Sequence, residues 1–139
     1  MLNKVADLKK QLRIQAESLD LSDERDGDSP SPYEDYLESA AMLARVRMFY
    51  WGVTIPDASP YSAGLLMAEI LLIKAEIVEE FGFNDGTDLE EFSTGGGEGT
   101  KAKRSRMSVE DRGEIVEGFR NKAYFLLFGK QPSESPGVV

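Results

Sequence analysis

Residues 60–81 read PYSAGLLMAEILLIKAEIVEEF, and this stretch determines how the rest of the chain is interpreted. Drawn as a helix, it carries apolar side chains around most of its circumference: Leu65, Leu66, Met67, Ile70, Leu71, Leu72, Ile73, Ile77, Val78 and Phe81. A helix that is apolar nearly all round is normally central to a bundle or lies against a partner chain. Pro60 after Ser59 indicates where this helix begins, and Gly82 indicates where it ends.

The helix before it has a clear beginning in the sequence. Ser31 is a favourable N-cap, Pro32 suits the first helical position, and Glu34 completes a capping box. The pattern continues to about Trp51. In its second half the apolar face widens, which indicates packing on two sides: Met42, Val46, Phe49 and Tyr50.

Two more helices are predicted towards the ends of the chain. Residues 2–19 carry apolar side chains at helical spacing, and the acidic residues 20–31 follow as a loop. Residues 108–130 form the last predicted helix, which begins at the N-cap Ser108. It ends in an aromatic group: Tyr124, Phe125 and Phe128.

The chain of 139 residues has the length of one domain, 1–139, with a helical core at 2–82. Residues 83–107 are first acidic, then glycine-rich, then basic, and we expect them to be a flexible loop. Residues 131–139 are expected to form an extended tail. The sequence therefore predicts an all-α fold, a small bundle of about four helices.

Composition limits the chemistry that the chain can perform. It contains no histidine and no cysteine, so the commonest general base, the thiolate nucleophile and the usual zinc ligands are missing. We therefore expect no enzyme, no cofactor and no metal site. The net charge of −9 disfavours general binding to nucleic-acid phosphates. No segment has the apolar length of a signal peptide or a membrane span, and we expect a cytoplasmic site of synthesis.

Carboxylates on the apolar helix allow one chemical alternative. Glu69 and Glu76 are seven residues apart on the same side, and paired carboxylates can bind a hard metal or act as acid and base. The alternative is that they form the solvent-exposed stripe of the helix, or salt bridges at a subunit interface. We favour this structural interpretation because no second ligand motif accompanies them.

Two other groups of residues are candidates for partner binding. The basic cluster Lys101, Lys103, Arg104 and Arg106 suits docking on an acidic surface or on phosphates, but it equally fits a solvated run of charge. The preceding glycines lack the lysine and hydroxyl pattern of a phosphate-binding loop. The aromatic residues Phe49, Tyr50 and Trp51 fit either a binding hot spot or the core. Burial statistics favour the core.

The order of these segments resembles a known family. LKKQLRI at 8–14, an acidic loop, YEDYLESAA at 33–41, a proline-punctuated break and a very apolar helix follow one another. This arrangement, over about residues 5–81, is similar to the head–tail connector (adaptor or neck) proteins of long-tailed bacteriophages. The resemblance covers helix order and apolar positions.

The resemblance implies a structural virion subunit. Such proteins form a homo-oligomeric ring between portal and tail, through which DNA passes, so the implied partners are further copies, portal proteins and tail or neck proteins. The implied location is the neck of the virion, with no membrane and no sequence-specific nucleic acid bound. By the same resemblance the C-terminal segment contacts the portal or a neighbouring subunit: Tyr124, Phe125, Phe128, Pro132, Val138 and Val139.

Two other functional classes fit the sequence. An acidic inhibitor or DNA mimic would bind a nucleic-acid-binding protein and would carry carboxylates at phosphate-like spacing on one face. A histidine-free enzyme would use Glu69, Glu76 or Tyr124, in a pocket that perturbs their titration.

Overall fold

The structure, a computed structural model, describes residues 2–82 and 109–130, and all regular elements in these two ranges are helical. The prediction of an all-α protein with four main helices is confirmed. The predicted loop 83–107 and tail 131–139 lie outside the described residues. The helices are α1 (Val5–Leu12), α2 (Pro32–Tyr50), α3 (Ala63–Phe81) and α4 (Val109–Phe128), and a short 3-10 turn, Ala16–Leu19, follows α1.

Helix α3 is the centre of the bundle, as its all-round apolar pattern predicts. It packs against α1, α2 and α4, and its side chains Leu72, Ile73 and Ile77 are fully buried. Helix α4 runs antiparallel to α3. Near the end of α3, the Glu79 carbonyl accepts a 3.2 Å hydrogen bond from Arg112 at the beginning of α4. None of the described helices combines the length and the apolar composition that a bilayer crossing requires.

The helix ends follow local side-chain chemistry. The Ser31 hydroxyl accepts the Glu34 N–H at 3.1 Å, and the Glu34 carboxylate accepts the Ser31 N–H at 2.9 Å, so the predicted capping box is confirmed. Gly82, with φ of 68°, ends α3 as predicted. The predicted start of α3 at Pro60 is wrong by three residues. The cap is Ser62, whose hydroxyl accepts the Leu65 N–H at 3.2 Å.

The predicted helix over 2–19 is also wrong in its length. Helix α1 ends at Leu12 because Arg13 adopts a left-handed conformation, with φ of 56°. The chain then turns through the 3-10 segment, whose Leu19 is buried in the same core cluster as Leu8. Apolar side chains before and after Arg13 are buried in the same core. Their spacing in the sequence therefore resembled that of one continuous helix, although the backbone turns at Arg13.

Candidate interaction surfaces

The outer side of α2 presents a row of exposed apolar side chains. Helix α2 buries Leu37, Ala44 and Met48 against the core. With 3.6 residues per turn, the opposite side carries five exposed residues, here called the α2 outer face: Met42, Leu43, Val46, Phe49 and Tyr50. Phe49 is 72% exposed and Tyr50 is 80% exposed, so the prediction that this aromatic group belongs to the core is wrong for both. Trp51 alone is partly buried.

The two aromatic side chains contribute most to the apolar surface of this face. A large aromatic side chain carries roughly 150–250 Å² of surface, so Phe49 and Tyr50 together expose about 300 Å². Their rings contact each other edge to face at 5.9 Å, which makes the aromatic surface continuous. The largest apolar patch of a typical monomer measures about 300–600 Å² and is often functional, so this face is a candidate interaction surface.

A second apolar surface lies between α3 and α4. It is a groove of about 180 Å³ lined by Leu71, Lys122, Phe125 and Leu126. Phe125 is 47% exposed, and Met67, one turn before Leu71 on α3, is exposed as well. These five residues are called the α3–α4 groove below. The lining is apolar except for the Lys122 side chain, which adds one positive charge at the surface.

The predicted partner-binding residues of the basic cluster and the C-terminal segment fall into three groups. Tyr124 packs on the Trp51 ring at 5.1 Å and on the Phe128 ring at 4.4 Å, so it joins α2 to α4 inside the molecule. Phe125 and Phe128 are exposed. The rest lie outside the described residues: Lys101, Lys103, Arg104, Arg106, Pro132, Val138 and Val139.

Glu69 is fully buried, which contradicts its interpretation as part of a solvent-exposed stripe or an interface salt bridge. Its carboxylate accepts hydrogen bonds from the backbone N–H groups of Leu2 at 2.9 Å and Asn3 at 2.8 Å, and from the Asn3 side chain at 2.8 Å. Buried charges persist when such donors compensate them. The carboxylate therefore anchors the N-terminal residues to the central helix. Sequence periodicity did not reveal this role.

Glu76 does not join Glu69 in a site. It lies 3.5 Å from Arg120 of α4, whose guanidinium also reaches Glu79 at 2.7 Å. Among the described residues no group of carboxylates is placed to hold a metal ion. The two glutamates that the sequence placed on one side of α3 thus have separate structural partners.

Glu34 is the centre of the most extensive charge network in the described residues. Its side chain is only 4% exposed and receives two hydrogen bonds from Arg25, at 2.9 and 2.8 Å, and one from Lys9 at 3.0 Å. The Arg25 guanidinium, the Ser31 N–H and the Lys9 ammonium hold the pKa of this carboxyl far below its usual range. A carboxylate kept ionised in this way fixes the 20–31 loop on α1 and α2 and is unsuited to proton transfer.

Comparison of the chain with protein-family models, with curated proteins and with solved structures gives no match. Its two exposed apolar surfaces and the order of its sequence segments therefore provide the basis for a functional proposal.

Proposed function

We propose that this protein is a structural subunit that assembles with other protein subunits through the α2 outer face. The observation that supports the proposal is the continuous apolar surface that ends in Phe49 and Tyr50. Aromatic side chains are enriched among the residues that contribute most to protein–protein binding. A partner that covers this face removes its apolar side chains from water, and this burial favours association.

We further propose that the assembly is a homo-oligomeric ring in the neck of a tailed bacteriophage, between portal and tail. The resemblance of residues 5–81 to head–tail connector proteins supports this assignment, and the net charge of −9 is suited to a channel that DNA passes without adhering. In this proposal the C-terminal segment contacts the portal or a neighbouring subunit. No step of the function requires catalysis.

The mass of the purified protein in solution tests the proposal. Light scattering and native mass spectrometry, from about 1 μM to about 1 mM, are expected to detect a closed species of many subunits, visible as rings in particle images. The double variant Phe49→Ala/Tyr50→Ala is expected to be monomeric with an unchanged circular dichroism spectrum.

The control replaces an exposed alanine that belongs to neither of the two defined surfaces. The variant Ala6→Glu on α1 should assemble like the wild-type protein. A wild-type protein that stays monomeric throughout this range contradicts the ring. A monomer that also captures a DNA-binding protein would favour the acidic inhibitor instead.

A further inference from the structure

We infer that the α2 outer face of one copy docks into the α3–α4 groove of a second copy, in a head-to-tail contact. This contact rests on the proposed assembly function, and it identifies the surface that receives the α2 outer face. It rests on four features of the described residues: the distribution of exposed apolar side chains, the size of the groove, the position of Lys122 and the placement of the two surfaces on one molecule.

Nearly all large exposed apolar side chains belong to the two surfaces. The structure describes nine such side chains. Five form the α2 outer face, and three belong to the α3–α4 groove: Met67, Phe125 and Leu126. Phe128 is the ninth, and its ring contacts Tyr124. Association of the two surfaces would thus cover most of the large apolar side chains that the described part of the chain leaves in water.

The groove has the volume and the lining that one aromatic ring requires. Its volume is about 180 Å³. An apolar protein cavity of roughly 150 Å³ takes up a benzene molecule. In the proposed contact, one ring of the Phe49–Tyr50 pair enters the groove beside Leu71 and Leu126, and the other ring covers Phe125. Of the described surfaces, the α2 outer face alone presents two adjacent aromatic side chains more than two thirds exposed.

Lys122 adds a charge that is suited to this occupant. Its side chain lines the apolar groove and is exposed. An ammonium group near the face of a Tyr or Phe ring gains a cation–π attraction. An aliphatic occupant would leave the same ammonium without this attraction, so the groove favours an aromatic one.

The two surfaces of one molecule cannot meet. The α2 outer face points away from α3, whereas the groove is lined by residues of α3 and α4 only. The contact is therefore between copies, and it joins unlike surfaces. Such heterologous contacts produce a closed ring when the rotation between neighbours closes, and a filament when it does not. A contact of two identical α2 outer faces would stop at a dimer.

The test uses two variants, each lacking one surface. The face variant is Phe49→Ser/Tyr50→Ser, and the groove variant is Phe125→Ser/Leu126→Ser; all four side chains are more than two fifths exposed. Each variant alone should bind itself about tenfold or more weakly than the wild-type protein binds itself. Mixed in equal amounts, they should form a one-to-one heterodimer and no larger species, because one intact face meets one intact groove. Native mass spectrometry with one variant carrying heavy isotopes identifies this species.

The other outcomes overturn the inference in distinguishable ways. A groove variant that assembles like the wild-type protein excludes the groove as the docking site and leaves the proposed function intact. Dimers formed by the groove variant alone, with none formed by the face variant, indicate contact between identical faces. Loss of the heterodimer when residues 131–139 are removed from the groove variant places the tail, and not the α2 outer face, in the groove. A monomeric wild-type protein contradicts both proposals.

A second groove variant controls for local unfolding of α4 in the serine variant. Leu126→Trp fills the groove with a large, mainly apolar side chain and adds no charge, at a position that is already 44% exposed. It should repeat the behaviour of the serine variant, both alone and in the mixture. If Leu126→Trp assembles normally while the serine variant does not, the serine effect reflects damage to α4 and the groove is excluded.

Discussion

At the scale of single residues, two buried glutamates show what distinguishes a predictable contact from an unpredictable one. Glu34 bonds to Ser31, three residues away, and the serine–glutamate spacing reveals this contact in the sequence. Glu69 bonds to Leu2 and Asn3, which are 67 and 66 residues away. The apolar periodicity of α3 assigned Glu69 to the solvent-exposed side, because such periodicity reflects only the positions of neighbours along the same helix. The partner of a buried charge depends on which distant backbone groups the fold brings to it.

Replacement of Glu69 should destabilise the fold more than its position on the helix suggests. Glu69→Leu removes the acceptor of three N–H groups, and we expect a loss of about 2–4 kcal/mol in the free energy of unfolding. Glu69→Gln retains one acceptor oxygen and should lose less. Urea unfolding followed by circular dichroism measures both. Glu76→Gln is the matched control, because Glu76 is partly exposed and only distantly paired. Equal losses for Glu69→Leu and Glu76→Gln would contradict the anchoring role.

The Glu34 network should make stability depend on acid in a defined direction. The pKa of this carboxyl is lowered in the folded state from an ordinary value of 4.5. Its contribution to stability is therefore complete above that ordinary pKa, and it is lost as the pH falls towards the lower folded pKa. The difference in unfolding free energy between the wild-type protein and Glu34→Gln should be largest near pH 7 and should shrink below about pH 4.5. A difference that stays constant down to about pH 2 would show that the charge of Glu34 is not responsible.

At the scale of helices, adjacent positions of α2 allow a direct comparison of its two sides. Met48 is fully buried, and Phe49 beside it is 72% exposed. Met48→Ala should lower the unfolding free energy by about 2–5 kcal/mol, because it leaves a cavity. Phe49→Ala should change it by about 0.5 kcal/mol or less, since it removes little buried surface. Thermal and urea unfolding at concentrations where the protein is monomeric provide the measurement. A large loss for Phe49→Ala would mean that the α2 outer face is covered within one molecule.

The helices also show which features of the fold the apolar pattern of the sequence could predict. The all-round apolar pattern correctly placed α3 at the centre, and Gly82 correctly marked its end. The pattern of α2 predicted packing on two sides, and within the described residues this is wrong, because the second side is exposed: Met42, Val46, Phe49 and Tyr50. Covering that face requires a partner surface, and the described part of the chain places none over it. Amphipathic spacing alone does not distinguish side chains that form a core from apolar side chains that stay on the surface.

At the scale of the whole molecule, the net charge would oppose the proposed association of copies through their apolar surfaces. Each copy carries a net charge of −9, so copies repel one another at low ionic strength. The proposed docking of the α2 outer face in the α3–α4 groove would be mainly apolar, with one lysine at the groove, so we expect salt to weaken the contact itself little. The concentration of salt, which screens the repulsion between copies, therefore determines whether repulsion or apolar docking dominates.

Assembly should strengthen as salt is added. The screening length falls from about 30 Å at 0.01 M to about 10 Å at 0.1 M, which removes most of the repulsion between copies. We expect the dissociation constant from light scattering to fall several-fold over this range, while the face variant Phe49→Ser/Tyr50→Ser stays monomeric at both concentrations. Salt that weakens assembly would instead indicate that opposite charges hold the copies together. The basic residues Lys101, Lys103, Arg104 and Arg106 would then be the first to replace by glutamine, because they form a dense run of positive charge in an acidic chain.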